Sequence, residues 1–289
     1  MTASPLDVPE PARDDRPRFS VVIPAVNEAG EIGRCLSSLA AQDYAGMYEV
    51  IVVDNNSTDA TAVVARNHGA MVVFEQNPGV CWARQRGTDV ARGDIVVSTD
   101  ADTTFDPGWL SRIDQAFRRE PSSVAVTGPC QFVAGPWWGT VYADLLFGIV
   151  HLSYRLTGRV FYVTATNIAF RKSAWSGYNT NLTQGGDELD LLRRLRARGP
   201  VIFDFGNPTF TSARRLRRGL TYNIFVTCFF YYLLGYGLNR MFGRRVLGTA
   251  PEIRGAKHEL AWGLRAAAAS LVVASAVLAV HLGLEIDGA

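Results

Sequence analysis

The chain has 289 residues, 48% hydrophobic and 19% charged, with a formal net charge of +2. That length fits one large domain with an appendage, the apolar content suffices for a sizeable core, and so near a charge balance gives no footing to nucleic acid as a partner. Four scattered cysteines (Cys35, Cys81, Cys130, Cys228), with no CxxC and no Cys/His pairing, argue against a disulfide framework or a zinc site.

Residues 1–18 are Pro-rich and charged, without a signal-peptide pattern, and are expected to form a disordered tail. Residues 20–24 are a short apolar run of buried-strand type. Residues 29–42 place Ile32, Cys35, Leu36 and Leu39 at helical spacing behind Glu28 and Glu31. A second strand, 48–54, ends in Asp54. The loop 55–59 and a helix over 60–67 follow, then a strand at 70–74, a helix at 80–91 and a strand at 93–99. Strands alternating with helices predict an α/β domain whose mostly parallel sheet has helices on its faces.

Further on, the spacing predicts a helix over 109–119, a strand over 123–127, a strand pair over 160–171 and a helix over 188–198 carrying Leu189, Leu191, Leu192 and Leu195. The aromatic stretch 136–156 is interrupted by Asp144, His151 and Arg155. A mid-segment aspartate is costly in lipid, so this reads as an amphipathic helix covering the sheet or resting at a membrane surface. After the cluster Arg214, Arg215, Arg217 and Arg218 the composition turns apolar. Residues 264–284 are long enough to cross a bilayer, and residues 222–238 read as interfacial, because basic residues flank them on both sides. The predicted division is a tail to residue 18, a catalytic domain over 19–215 and membrane-associated helices over 216–289.

Residues 96–102, Val-Val-Ser-Thr-Asp-Ala-Asp, end a β-branched run in two carboxylates spaced i, i+2. Carboxylates at the carboxyl end of an open-sheet strand stand where ligands of α/β folds bind. On an extended backbone Asp100 and Asp102 point the same way and can share a hard divalent cation that clamps a diphosphate. A dinucleotide-binding loop is absent, since Pro24 and Asn27-Glu28 occupy the place of a G-x-G-x-x-G and Gly30 and Gly33 are wrongly spaced.

Several motifs in order resemble the family 2 glycosyltransferases, which have the GT-A fold. They are residues 21–28 (Val-Val-Ile-Pro-Ala-Val-Asn-Glu), 52–61 (Val-Val-Asp-Asn-Asn-Ser-Thr-Asp-Ala-Thr), 83–87 (Ala-Arg-Gln-Arg-Gly), Gly93-Asp94, Asp100-Ala101-Asp102 and 186–191 (Gly-Asp-Glu-Leu-Asp-Leu). The resemblance implies that Pro24, Asn27, Glu28, Asp54, Asp59, Arg84 and Asp100 surround the nucleotide. Asp54 would accept hydrogen bonds from the base, and Glu28 and Asp59 would reach ribose or base. Asp59 also reads as a helix cap, and Arg84 as a solvated helix face. Asp102, with Asp100 in its shell, would bind Mg2+ or Mn2+ and so neutralise charge on the departing diphosphate.

Asp187-Glu188 stands where the family has Glu-Asp, with Glu188 in register for the base that deprotonates an acceptor hydroxyl; the swap leaves the choice between them open. Acidic residues at a helix start are also good capping chemistry. Arg214 and Arg215 suit a diphosphate or an anionic lipid headgroup, or mark a positive membrane flank. The implied activity is an inverting, metal-dependent transfer of sugar from a UDP- or GDP-linked donor to a membrane lipid or lipid-linked acceptor, at the cytoplasmic face of the cell membrane. The rivals are a sugar-phosphate nucleotidyltransferase, whose Gly-rich opening loop is missing here, and a degenerate, non-catalytic transferase domain that binds nucleotide or a partner.

Overall fold

The computed structural model describes residues 16–181, 187–222 and 225. The elements in chain order are β1 (Phe19–Ala25), α1 (Ile32–Ala40), β2 (Tyr48–Asp54), α2 (Thr61–Asn67), β3 (Met71–Phe74), α3 (Val80–Val90), β4 (Ile95–Ser98), β5 (Thr103–Phe105) and α4 (Trp109–Arg119). They continue with β6 (Ala125–Thr127), β7 (Cys130–Val133), α5 (Trp137–Thr157), β8 (Ile168–Arg171), α6 (Asp187–Arg196), β9 (Val201–Phe203) and β10 (Thr209–Ser212).

Seven strands form one sheet in the order β3-β2-β1-β4-β8-β6-β9. Pairing is parallel except at β8, which runs antiparallel to both β4 and β6. The β1, β2 and β4 sequences are continuous apolar runs because both of their faces are covered. Val21 and Ile23 join the core cluster that α1 and α4 complete, whereas Val22 joins the one built with α3, α5 and α6. The result is three layers, helix–sheet–helix. On α3, a side chain at Gly87 would collide with Val22 and Val53, so glycine there lets the helix approach β1 and β2 closely.

One prediction needs correction, and two features went unpredicted. The first is the strand pair expected over 160–171, of which only β8 is a strand. Before it, the Asn167 amide donates to the Pro129 carbonyl at 2.9 Å and the Asn207 carbonyl at 2.8 Å, while the Thr164 and Thr166 hydroxyls pair with each other. Val160 and Val163 are buried by packing, without a strand ladder. Second, β5, β7, β9 and β10 went unpredicted, each only three or four residues long. Third, β5, β10 and β7 form a separate three-stranded sheet, with β10 antiparallel to β5 and parallel to β7.

Among the described residues no helix is long and apolar enough to cross a membrane. The tail to residue 15, the run 264–284 and nearly all of 222–238 lie outside them.

Candidate active site

Two loops at the carboxyl ends of β1 and β2 are laced together. The Asn27 amide oxygen accepts the Thr58 N–H at 2.7 Å, and the Asn27 N–H donates to the Ser57 hydroxyl at 3.0 Å. Asn27 itself holds a positive φ of 52°, which asparagine tolerates better than most residues. The Glu28 N–H reaches the Thr61 hydroxyl at 2.7 Å. Asp59 ties the same junction from the other side, its carboxylate accepting the N–H groups of Ala29 at 3.1 Å and Thr61 at 2.9 Å. These bonds, more than the slight burial that opposes them, hold Asp59 in its charged form below the usual carboxylate range. Asp59 thus secures the start of α2. Asp54, last in β2 and half-buried, accepts the Ser57 N–H at 3.1 Å, and Pro24 is half-buried on β1 in register with Val53.

The second group forms where the small sheet meets the large one. Asp102 immediately precedes β5, Arg214 lies two positions after the end of β10, and Thr103 pairs with Thr211 across the two strands. That antiparallel register brings residues 112 positions apart side by side. One guanidinium nitrogen of Arg214, Nη2, donates to Asp102 Oδ2 at 2.7 Å and to Glu28 Oε1 at 3.0 Å. Burial opposes the charge on Arg214, but Glu28 and Asp102 outweigh it and hold the guanidinium more firmly protonated. The Arg215 side chain lies outside the described residues.

Arg84 organises the third group. It is neither a solvated face nor directed to the surface, since its side chain is 5% exposed. Nη1 pairs with Asp187 Oδ2, at the start of α6, and Nη2 donates to Asp100 Oδ1 at 2.9 Å. Burial disfavours its charge, yet Asp187 and Asp100 reverse the balance and raise its pKa. Asp187 is itself buried, with a side chain 2% exposed. Beside it, burial first and the Asp187 charge second lift Glu188 to about 8, with Arg84 pulling the other way.

The extended backbone expected through Asp100 and Asp102 needs correction. The chain turns through them, with the Thr103 N–H closing onto the Asp100 carbonyl at 3.2 Å, and the two carboxylates engage different guanidinium groups. The structure does join the groups themselves, because Arg84 bonds both the Asp187 beside Glu188 and the Asp100 two residues before Asp102.

Three residues escaped the sequence reading. Buried Asn55 takes the carbonyls of Glu75 at 2.9 Å and Asn77 at 2.7 Å and accepts the Gly79 N–H at 2.8 Å, fixing the loop that leads into α3. Tyr178, whose N–H donates to Gln85 at 2.8 Å, buries its hydroxyl in the field of Arg84 and Asp187, and burial raises its pKa. Asp190 is bonded by Arg193 and Arg194 at 2.9 and 2.7 Å and braces α6. An i, i+3, i+4 charge pattern would have found Asp190; nothing local marks Asn55 or Tyr178.

The donor set suits a hard divalent cation. Asp102 and Glu28 already converge their oxygens on one positive centre, supplied by Arg214. Among the described residues no three His, Cys, Asp or Glu side chains gather as metal ligands. One or two carboxylates completed by substrate phosphates is the usual setting for Mg2+.

A three-layer α/β molecule with carboxylates gathered at the carboxyl edge of its sheet has a GT-A-like fold. The model of the family described as glycosyl transferase family 2 matches residues 20–178. An uncharacterized glycosyltransferase of Mycobacterium tuberculosis is 35% identical over 184 residues, spanning 62% of this chain and 79% of the relative. The chain belongs to glycosyl transferase family 2 and is a glycosyltransferase. A dodecaprenyl-phosphate galacturonate synthase of Rhizobium johnstonii is 35% identical over 112 residues, 35% of this chain and 33% of that protein. A mannosyltransferase from Pyrobaculum calidifontis, solved with GDP-Man and Mn2+, shares the fold with a TM-score of 0.57 at 23% identity, covering 93% of this chain and 80% of that one.

Proposed function

We propose that this glycosyltransferase moves a sugar with inversion from a UDP- or GDP-linked donor to a membrane lipid or lipid-linked acceptor, at the cytoplasmic face of the cell membrane. The observation that carries the reading is the Arg84 bridge, which joins Asp100 on the donor side to Asp187, and hence Glu188, on the acceptor side. Asp54, Asn27 and Glu28 would surround the base and ribose. Asp102, with Glu28 and Asp100 near it, would hold Mg2+ or Mn2+, which neutralises charge on the departing diphosphate.

Glu188 is the base in this scheme and Asp187 is not. The Asp187 carboxylate is engaged by the buried Arg84 guanidinium, whereas Glu188, lifted to about 8, is matched to a neutral working pH. As the acceptor oxygen bonds the anomeric carbon, the carbon–diphosphate bond breaks and the acceptor proton passes to Glu188. For a phosphate acceptor little deprotonation is needed, and Glu188 would orient it. The lipid acceptor is supported by the relative named for a polyprenyl phosphate product and by the apolar sequence after residue 222.

The test is transfer from radiolabelled UDP- and GDP-sugars into a membrane lipid extract, with Mn2+, by wild type and Glu188→Gln. Label entering lipid with wild type alone is expected. A purified protein that neither binds nor hydrolyses any nucleotide sugar would end the reading.

A further inference from the structure

Helix α5 lays Gly139, Ala143, Phe147 and Val150 on the core, yet its outward face is apolar as well. Trp137, Val141, Leu145, Ile149, Leu152 and Leu156 recur every three or four residues and are 79, 47, 63, 59, 59 and 77% exposed. At about 100° per residue, this ridge stands opposite the buried stripe, where a surface helix normally carries charge. The six side chains span roughly 28 Å of helix. Contiguous exposed apolar surface of this kind marks an interaction site.

We propose that the ridge is a membrane-docking face, with α5 lying along the bilayer–water interface and its outward side chains among the acyl chains. The proposal deepens the lipid-acceptor reading and rests on it for what docking achieves. Charge selects this occupant. Arg155 and Arg159 are exposed at the carboxyl end of α5. At the amino end Leu216 packs against Gly139, which brings exposed Arg217 alongside. Asp144 is the one carboxylate on the helix itself. Basic ends suit anionic headgroups, and Trp137 and Trp138 have the aromatic character that favours headgroup depth. A second copy paired along the ridge would bring basic ends together in either orientation. The contact also reaches the chemistry: Gly135, just before α5, packs on Ala213, whose neighbour Arg214 holds Asp102 and Glu28. Docking α5 thereby sets that cluster beside the headgroups.

The experiment uses the full chain in a Cys228→Ser background; the cysteines at 35, 81 and 130 are buried, so an environment-sensitive nitrobenzoxadiazole label goes to one introduced thiol. Probes at Leu145→Cys and Ile149→Cys should shift their emission to the blue when mixed phosphatidylcholine–phosphatidylglycerol vesicles are added. A probe at Glu120→Cys, at the end of α4 on the opposite face of the sheet, should not move. No shift with vesicles overturns the proposal. So does emission already blue without lipid, which would mean that another part of the chain covers the ridge, or a lipid-free shift that follows protein concentration, which would mean a second copy. A vesicle-dependent shift in protein that transfers sugar to no lipid keeps the docking face and removes the lipid acceptor.

Discussion

Arg84 and Arg214 perform the same local chemistry in two different settings. Each guanidinium bridges two carboxylates drawn from distant parts of the chain, but the Arg84 side chain is 5% exposed and that of Arg214 is 31% exposed. Removing one partner of a buried ion pair strands the other charge in a poor solvent, whereas a pair open to water is screened and relaxes cheaply. The buried bridge is therefore a lock that sets the spacing of Asp100 and Asp187. The Arg214 guanidinium, the more exposed of the two, is a counterion that can withdraw when another cation takes its carboxylates.

Breaking the lock should have the largest effect. Arg84→Ala leaves Asp187 and Asp100 uncompensated and should cost about 3–5 kcal/mol, read from urea unfolding, together with all transfer activity. Arg84→Lys should recover little of either, because one ammonium cannot reproduce the two-pronged geometry. A variant as stable as wild type would show that the bridge is not structural.

Glu188→Gln comes next and separates chemistry from folding. Transfer to a hydroxyl acceptor should fall roughly 100- to 10,000-fold, with nucleotide binding and thermal midpoint retained. A base must be unprotonated, so the wild-type rate should climb with pH along a limb near 8. Replacing Asp187 with Asn removes a like charge from beside Glu188 and should move that limb to lower pH; a limb that stays put would exclude Glu188 as its source.

Arg214→Ala should cost less than Arg84→Ala but still about 1–3 kcal/mol, because the Glu28 and Asp102 side chains are only 12 and 16% exposed and lose their partner. Nucleotide-free Mn2+ binding, followed by calorimetry, should tighten because the guanidinium no longer competes for Asp102. Unchanged Mn2+ affinity would mean that arginine and metal use separate oxygens. The smallest effect belongs to Asp59→Ala, about 1 kcal/mol from a lost helix-end tie, with nucleotide affinity little altered. A large loss of affinity would instead make Asp59 a ligand of the ribose or base.

The first half of the molecule was legible because its signals are local. Val21, Val22 and Ile23 are apolar on both faces and declare a covered strand, and the Ile32, Cys35, Leu36 and Leu39 spacing declares a helix seated on it. The carboxylates at the ends of β2 and β4 could be placed at the sheet edge on the same grounds. Residues 160–167 misled because Val160 and Val163 are buried without being in a strand, and burial alone does not distinguish the two.

The sequence by itself determined the element order from β1 to β4, the mostly parallel sheet and the inventory of acidic and basic groups available to the site, since each depends on spacings within about a dozen residues. Tertiary structure alone decided which arginine meets which acid: Arg84 with Asp187 across 103 positions, Arg214 with Asp102 across 112. Those meetings follow from the close seat of α3 at Gly87 and the β5–β10 register, both long-range packing events whose three- and four-residue strands leave no periodic trace along the chain.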